Sequence, residues 1–151
     1  MHHIEKLIAQ GEGLTIEFKR AKNGLPSSLF ETVCAFLNRN GGTILLGVSD
    51  EKTIEGVDIG LAEKMCKNIA NLSNNPQKLF PAFLLTATAI ELHGKTLIHI
   101  LVPISSQVHR TNGIIFDRSE DGDFELKTDE QISNSTTENL FSIPKTGFTL
   151  I

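Results

Sequence analysis

The chain has 151 residues, of which 40% are hydrophobic and 21% are charged, the composition of one globular domain of ordinary size. Such a composition excludes a disordered or fibrous protein. The formal net charge is −4, and the chain contains neither Trp nor Tyr. Proteins that coat nucleic acid carry a strong basic excess and stack bases on aromatic rings. These values therefore argue against a non-specific coat and leave room for a small, local binding site.

Targeting signals and cysteines indicate the compartment. No apolar run approaches the roughly 18 residues of a membrane-spanning helix, and the N-terminus lacks the basic and apolar regions of a signal peptide. Cys34 and Cys66 fall in helix-like stretches rather than in a spaced framework, so we expect two reduced thiols and no zinc site built on cysteine. The expected protein is soluble and cytoplasmic and has no membrane partner.

Alternation and helical spacing predict the first two elements. Ile16 and Phe18 alternate with polar residues, which predicts a half-buried strand with one polar face. Ser28 and Glu31 fit a capping box, in which the Ser hydroxyl accepts a hydrogen bond from a first-turn N–H. Apolar residues then recur at three- and four-residue steps, which predicts an amphipathic helix that ends near Gly41 and Gly42.

The next segments predict the centre of the fold. Residues 43–48 (TILLGV) are nearly continuously apolar, as expected of a central strand that is covered on both faces. Residues 54–57 are predicted to form a brief return strand. A second helix is predicted over residues 61–72, because its apolar residues recur with helical spacing and Pro76 follows it.

Two hairpins are predicted in the remaining part of the domain. Residues 83–90 and 96–104 are predicted to be strands that turn at Gly94. The acidic run at residues 120–123 is predicted to turn a second hairpin. Asp129 fits the N-cap of a short helix that starts near residue 130.

Together these elements predict an α+β fold in which a mixed β-sheet packs with two main helices. The domain is placed at residues 11–133. Residues 1–10 are interpreted as an N-terminal segment in which His2 and His3 are disordered. Residues 134–151 form a C-terminal tail whose structure the pattern does not predict.

Three pieces of sequence, in a fixed order, resemble the Alba-like domain of the Schlafen family. Residues 11–19 (GEGLTIEFK) are similar to its opening strand. Residues 34–50 (CAFLNRNGGTILLGVSD) are similar to its signature of an Asn, a Gly pair and a Gly-Val before an Asp. Residues 102–109 and 115–118 are similar to its last strands and their Arg. The pieces cover most of residues 11–133, and the resemblance implies a single Schlafen/Alba-like domain.

The resemblance implies an association with nucleic acid. In bacteria the domain occurs in proteins described as transcriptional regulators, where it is called a DNA-binding domain; it has also been labelled a divergent ATP-binding domain. In vertebrate members a duplicated copy forms an endoribonuclease that cuts structured RNA such as tRNA. We therefore expect a module that binds DNA or RNA. The alternatives are a metal-dependent ribonuclease and a protein-interaction or oligomerisation domain.

Three carboxylates are the candidate catalytic and metal-binding residues. Glu12, Glu17 and Asp50 match the acidic cluster of the nuclease members, and their oxygens would suit Mg²⁺ or Mn²⁺. Glu17 and Lys19 share the polar face of the first strand, and Asp50 follows the central strand, so these groups can meet if the two strands are neighbours. The alternative is that Glu17 and Lys19 form a solvent-facing ion pair and Asp50 starts a turn.

Basic residues are the candidates for contact with phosphates, although each alone is also an ordinary surface charge. They are Lys19, Arg20, Lys22, Arg39, His109, Arg110 and Arg118. Gly41 and Gly42 are interpreted as a helix end and a tight entry into the central strand, with a phosphate-cradling turn as the alternative. The chain has no G-x-x-x-x-G-K-[S/T] motif, so no ATP site is expected, and binding itself needs no cofactor.

The vertebrate nuclease members contain two related lobes and a zinc site, whereas this chain has one lobe and lacks the cysteines for that site. A single lobe could rebuild a two-lobed cradle only by pairing with a second copy. We therefore expect a homodimer.

Overall fold

Two β-sheets and three helices make up the part of the chain that the structure, a computed structural model, describes, which is residues 2–127. The helices are α1 (His3–Gln10), α2 (Leu29–Asn38) and α3 (Ile59–Ser73). The strands are β1 (Ile16–Lys19), β2 (Gly42–Leu46), β3 (Ala87–Leu92), β4 (Lys95–Val102), β5 (Arg110–Thr111), β6 (Ile114–Ser119) and β7 (Gly122–Glu125). The predicted helix at residue 130 and the tail lie outside the described residues.

The larger sheet has the strand order β1-β2-β4-β3, with β1 and β2 parallel and the other pairs antiparallel. The smaller sheet, β5-β6-β7, is antiparallel and packs on α2. Helices and a mixed sheet in one domain confirm the predicted α+β class. Within residues 2–127, no helix is long and apolar enough to cross a membrane.

Strand β2 lies at the centre of the larger sheet, as its apolar run predicts. Ile44 and Leu46 belong to the core shared with α2 and α3, whereas Leu45 and Val48 belong to the core shared with α1. All four side chains are fully buried. The prediction of a strand covered on both faces is therefore confirmed.

Helix α1 corrects the interpretation of the N-terminus. His2 is its N-cap: the Nδ1 atom accepts a hydrogen bond from the Ile4 N–H at 3.0 Å. Ile4 and Ile8 are buried against Ile16 and Phe18. The prediction that His2 and His3 are disordered is wrong, because a helix of eight residues needs only two apolar side chains on one face to pack here and offers little periodicity to recognise.

The start of α2 differs from the predicted capping box. Ser28 occupies the N-cap position, but its side chain makes no capping hydrogen bond to the helix. The Ser28 hydroxyl instead accepts a hydrogen bond from Lys19 Nζ at 2.9 Å. The predicted capping box is therefore wrong, because the Ser28 hydroxyl is hydrogen-bonded to Lys19 on β1 and not to an N–H of the first turn.

The end of α2 has the structural role predicted for the Gly pair. Gly41 has a φ of +72°, and a Cβ atom on it would lie 2.7 Å from the Val102 carbonyl oxygen. Asn38, fully buried, donates hydrogen bonds from its side-chain amide to the carbonyl groups of His109 and Phe116 and thereby ties α2 to the smaller sheet.

The second half of the chain follows the prediction in outline. Helix α3 starts after Asp58, whose carboxylate accepts a hydrogen bond from the Gly60 N–H at 2.8 Å. Strands β3 and β4 turn at His93 and Gly94, both with positive φ, and β6 and β7 form the second hairpin. The return strand at residues 54–57 is reduced to a single bridge between Val48 and Ile54.

Candidate functional site

The alternation of side chains along β1 determines which of them face the candidate site. Ile16 and Phe18 face the core beneath α1, so Glu17 and Lys19 point to the other side of the sheet, towards α2 and the second hairpin. Only 17% of the Glu17 side chain and 10% of the Lys19 side chain are exposed. These residues are therefore not the solvent-facing ion pair of the alternative interpretation; they line a crevice.

The Glu12 side chain lies at the outer edge of β1. Its Oε2 atom accepts a hydrogen bond from the Phe18 N–H at 2.9 Å. Partial burial of the carboxyl, the contact with Glu17 and the charge of Asp50 raise the pKa of Glu12 to about 7, although the Phe18 N–H acts in the opposite direction. This carboxyl therefore gains its proton nearer to neutral pH than an ordinary carboxyl does.

Seven carboxylates line one pocket of about 350 Å³, here named the acidic pocket. Its acidic residues are Glu12, Glu17, Glu31, Asp50, Glu120, Asp121 and Asp123, and the wall is completed by Arg118 and Gly122. The structure thus brings the three candidate carboxylates to one place. It adds four more that the sequence interpretation missed, because the run at residues 120–123 was interpreted only as a turn and Glu31 only as part of a cap.

The acidic pocket fits a divalent cation in its chemistry, since carboxylate oxygens are the donors that Mg²⁺ and Mn²⁺ prefer. Burial and, after it, the neighbouring Glu17 and Asp50 raise the pKa of Glu12, and a bound cation would offset both effects by favouring the charged carboxylate. Among the described residues, however, no three His, Cys, Asp or Glu side chains stand in a metal-binding arrangement. A cation would require side-chain rotations, and the metal assignment stays a prediction.

Arg118 joins the two sheets behind the acidic pocket. Its Nη1 atom donates hydrogen bonds to Glu17 Oε1 at 2.8 Å and Asp123 Oδ1 at 2.7 Å, and its Nη2 atom donates to the carbonyl groups of Gly13 and Ile16. Its guanidinium also lies 4.7 Å from the centre of the Phe36 ring. The side chain is only 1% exposed, so it orients carboxylates from within the protein instead of facing a ligand.

His109 is likewise enclosed by the protein. Its Nδ1 atom lies 2.7 Å from the Pro81 carbonyl oxygen and its Nε2 atom 2.7 Å from Ser105 Oγ. Since a carbonyl only accepts, Nδ1 carries the proton and Nε2 accepts from the hydroxyl. Burial lowers the pKa of this ring, which is fully buried and stacks edge-on against Phe83.

The other basic candidates are distributed over several elements. Arg39 forms a two-pronged ion pair with Asp117, and Arg20 lies 3.3 Å from Glu55 and 3.7 Å from Glu51. Lys19 is held by Ser28 and lies 4.0 Å from Glu17. Lys22 and Arg110 are exposed. The seven residues predicted to contact nucleic acid therefore do not act alike, and only Arg20, Lys22 and Arg110 are exposed.

Comparison with known proteins adds a family and two solved structures. The family model described as "Schlafen, AlbA_2" matches residues 12–136. The N-terminal domain of a Nitrosomonas europaea protein, described as related to the ATP-dependent DNA helicase RecG, is 27% identical; the match covers 69% of this chain and 74% of that one, with a TM-score of 0.53. The DIP2311 protein of Corynebacterium diphtheriae is 16% identical with a TM-score of 0.61, a likeness of fold; the match covers 89% of this chain and 31% of that chain.

Proposed function

The chain belongs to the Schlafen AlbA_2 family, and from this premise we propose that it is a nucleic-acid-binding domain whose acidic pocket receives the phosphate backbone together with divalent cations. The observation that carries the proposal is the position of Lys19 and Arg20 next to the pocket. They line a neighbouring depression that shares Glu17 and Asp50 with the acidic pocket.

Charge explains why the proposal includes cations. Seven carboxylates around one pocket, in a chain of net charge −4, repel a phosphate backbone unless their charge is neutralised. A divalent cation held by Glu12, Glu17 or Asp50 would supply that neutralisation and a bridge to phosphate oxygens. Lys19 and Arg20 add positive charge at the rim, where a point charge or a guanidinium suits a phosphate group.

The similar proteins support the same class of ligand. The Nitrosomonas europaea protein is described as related to a DNA helicase, and its N-terminal domain is the part that this chain resembles. The proposal covers both DNA and RNA as ligands, and it extends to a role in transcriptional regulation.

Binding in the presence and absence of divalent cations tests the proposal. Fluorescence anisotropy with labelled tRNA and with duplex DNA would be measured in Mg²⁺, in Mn²⁺ and in EDTA. We expect affinity to fall in EDTA, and Asp50→Asn to remove most of the difference. Glu63→Gln, which changes an exposed carboxylate on α3, is the matched control and should bind like the wild type. If cations and Asp50→Asn leave binding unchanged, the acidic pocket is not the binding site. If neither nucleic acid binds at low salt, the interaction-domain alternative gains support.

We further propose a second function, metal-dependent cleavage of structured RNA, and the observation that favours it is that Glu12, Glu17 and Asp50 line one pocket. Burial and the contact with Glu17 also raise the pKa of Glu12 to about 7. A carboxyl that gains and loses its proton near pH 7 has the property required of a general acid or base. Lys19 Nζ, 4.0 Å from Glu17 Oε2, can hold a phosphate group as a point charge.

Cleavage of tRNA tests this second function. Wild type and Glu12→Gln would be incubated with tRNA in Mn²⁺ or in EDTA. Gln keeps an oxygen that can accept the Phe18 N–H but cannot exchange a proton, so we expect cleavage only by wild type in Mn²⁺. Equal behaviour in all four mixtures would eliminate the enzyme.

A further inference from the structure

Phe80 and Arg110 form an exposed pair at the edge of the smaller sheet. Each donates its N–H to the carbonyl of the other, at 2.9 Å and 2.7 Å, in an isolated antiparallel bridge. Two residues that exchange both hydrogen bonds project their side chains on the same face. Phe80 is 55% exposed and Arg110 is also exposed, so an aromatic ring and a guanidinium lie side by side in water.

Two amide side chains extend this surface. Asn112 donates its N–H to the Gln77 carbonyl at 2.7 Å, and Gln77 Nε2 lies 3.4 Å from Asn112 Oδ1. Both residues are exposed. Phe80, Arg110, Gln77 and Asn112 are here named the Phe80 platform.

The two chain segments that supply the Phe80 platform are basic, opposite in sign to the net charge of the whole chain. Residues 76–86 and 103–116, which supply it, contain Lys78 and Arg110 but no Asp and no Glu. Among residues 2–127, Phe80 is the most exposed Phe side chain, whereas five of the others lie in or against the core. Ring, cation and amides together match the parts of an unpaired nucleotide, which are a flat base, a phosphate and polar base edges.

We propose that the Phe80 platform binds single-stranded nucleic acid, with an unpaired base stacked on Phe80 and the adjoining phosphate on Arg110. The inference rests on the proposed function only in the class of ligand, because it uses a different surface and no cation. A cavity lined by Glu31, Lys78 and Asn112 adjoins both the platform and the acidic pocket, so one strand can contact the two.

Tryptophan fluorescence tests the stacking directly. Because the chain has no Trp and no Tyr, Phe80→Trp introduces a single reporter at the platform. In EDTA and low salt, we expect a 15-nucleotide oligo(U) or oligo(dT) to quench this fluorescence, since stacking on a base quenches an indole. Ile59→Trp is the control: Ile59 is 78% exposed and starts α3, about 20 Å from the end of that helix which leads to the platform. It should not be quenched.

Affinity measurements complete the test. Phe80→Leu keeps an apolar side chain but loses the flat ring, and we expect it to bind about tenfold more weakly than wild type, whereas Phe80→Trp keeps wild-type affinity. Arg110→Gln should lower the slope of log affinity against log salt by about 0.7, the contribution of one phosphate contact on a single strand. A duplex of the same length should bind more weakly than the single strand.

Each result decides between the proposals. Quenching in EDTA together with the loss in Phe80→Leu supports the platform, even if Asp50→Asn and cations have no effect on binding. Absence of quenching in Phe80→Trp, or wild-type affinity in Phe80→Leu, overturns it. Equal affinity for duplex and single strand also overturns it, since paired bases offer no free face.

Discussion

At the scale of single residues, His109 and Arg118 show what a residue type does and does not predict. Both are basic residues next to predicted turns, and both were expected to face phosphates. His109 is fully buried among Pro81, Ser105 and Phe83, and Arg118 is buried between two carboxylates. Their partners are up to 105 positions away along the chain. Sequence alone carries no sign of such partners.

The three candidate carboxylates lie together, whereas the basic candidates are distributed over several elements. Glu12, Glu17 and Asp50 were chosen on a resemblance, and β1 and β2 are indeed parallel neighbours that bring them to one pocket. The other four carboxylates of the pocket were not anticipated because they come from a helix start and a hairpin that meet this pocket only after the smaller sheet packs on α2.

The buried ring of His109 predicts a dependence of stability on pH. Its pKa is lowered from the usual 6.5, so the unfolded chain binds the proton more readily than the folded protein. Stability is therefore unaffected by this ring above pH 6.5 and falls as the pH drops below that value. Glu12, whose pKa is raised, acts in the opposite direction in the same window, so the effect of His109 is read as a difference between two proteins. Between pH 7.5 and pH 5.5 we expect the urea unfolding midpoint of the wild type to fall relative to that of His109→Gln.

The comparison of wild type with His109→Gln isolates the contribution of this one histidine. His99, whose pKa is also lowered by burial, is present in both proteins, and so are all the carboxylates. Parallel curves for wild type and His109→Gln would contradict the assignment of the pH dependence to His109.

At the scale of elements, the strength of the hydrophobic pattern decided what could be predicted. The run at β2 and the helical spacing of α2 and α3 were recognised because each buries several side chains on a regular face. The hairpins were recognised from short strand-like segments on either side of a turn, although β3 buries one side chain and β7 none. Helix α1 buries only Ile4 and Ile8, and β5 has only two residues. Such short elements exist because the larger sheet and α2 provide a surface, so their stability comes from packing and not from local pattern.

Arg118 attaches the second hairpin to β1 through its ion pairs with Glu17 and Asp123. Removing Arg118 leaves Glu17 and Asp123 half-buried without their shared cation, a change that costs about 3–5 kcal/mol in comparable buried pairs. We expect Arg118→Met to lower the free energy of urea unfolding by such an amount. Arg20→Met, which removes an exposed pair with Glu55, should cost less than about 1 kcal/mol. Similar losses in the two variants would show that Arg118 does not hold the hairpin.

At the scale of the whole molecule, the resemblance to two-lobed nucleases predicts a homodimer. Light scattering coupled to size-exclusion chromatography should give twice the 16.6 kDa of one chain. The same mass is expected in EDTA, because the predicted pairing rebuilds a cradle from two lobes and does not depend on the acidic pocket. A strict monomer at micromolar concentration would contradict the prediction.

The net charge of the chain is unevenly distributed over the folded protein. The value of −4 does not describe an evenly acidic surface, since seven of the carboxylates face one pocket whereas residues 76–86 and 103–116 contain none. A whole-chain charge therefore cannot decide whether a protein binds a polyanion. The distribution over the folded surface decides it.

The hydrogen bonds at the outer edge of β1 involve side chains of the acidic pocket and also affect whether two molecules can pair through this strand. Strand β1 is an edge of the larger sheet, yet its Phe18 N–H is occupied by Glu12, and its Ile16 carbonyl by Gly13 and Arg118. Two of the backbone groups that a foreign strand would pair with are therefore already hydrogen-bonded, which disfavours pairing at this edge. The side chains that shape the acidic pocket thus also protect the sheet against uncontrolled pairing between molecules. Truncating Glu12 to Ala frees the Phe18 N–H at the strand edge as well as removing a carboxylate, so we expect Glu12→Ala to aggregate more readily than Glu12→Gln.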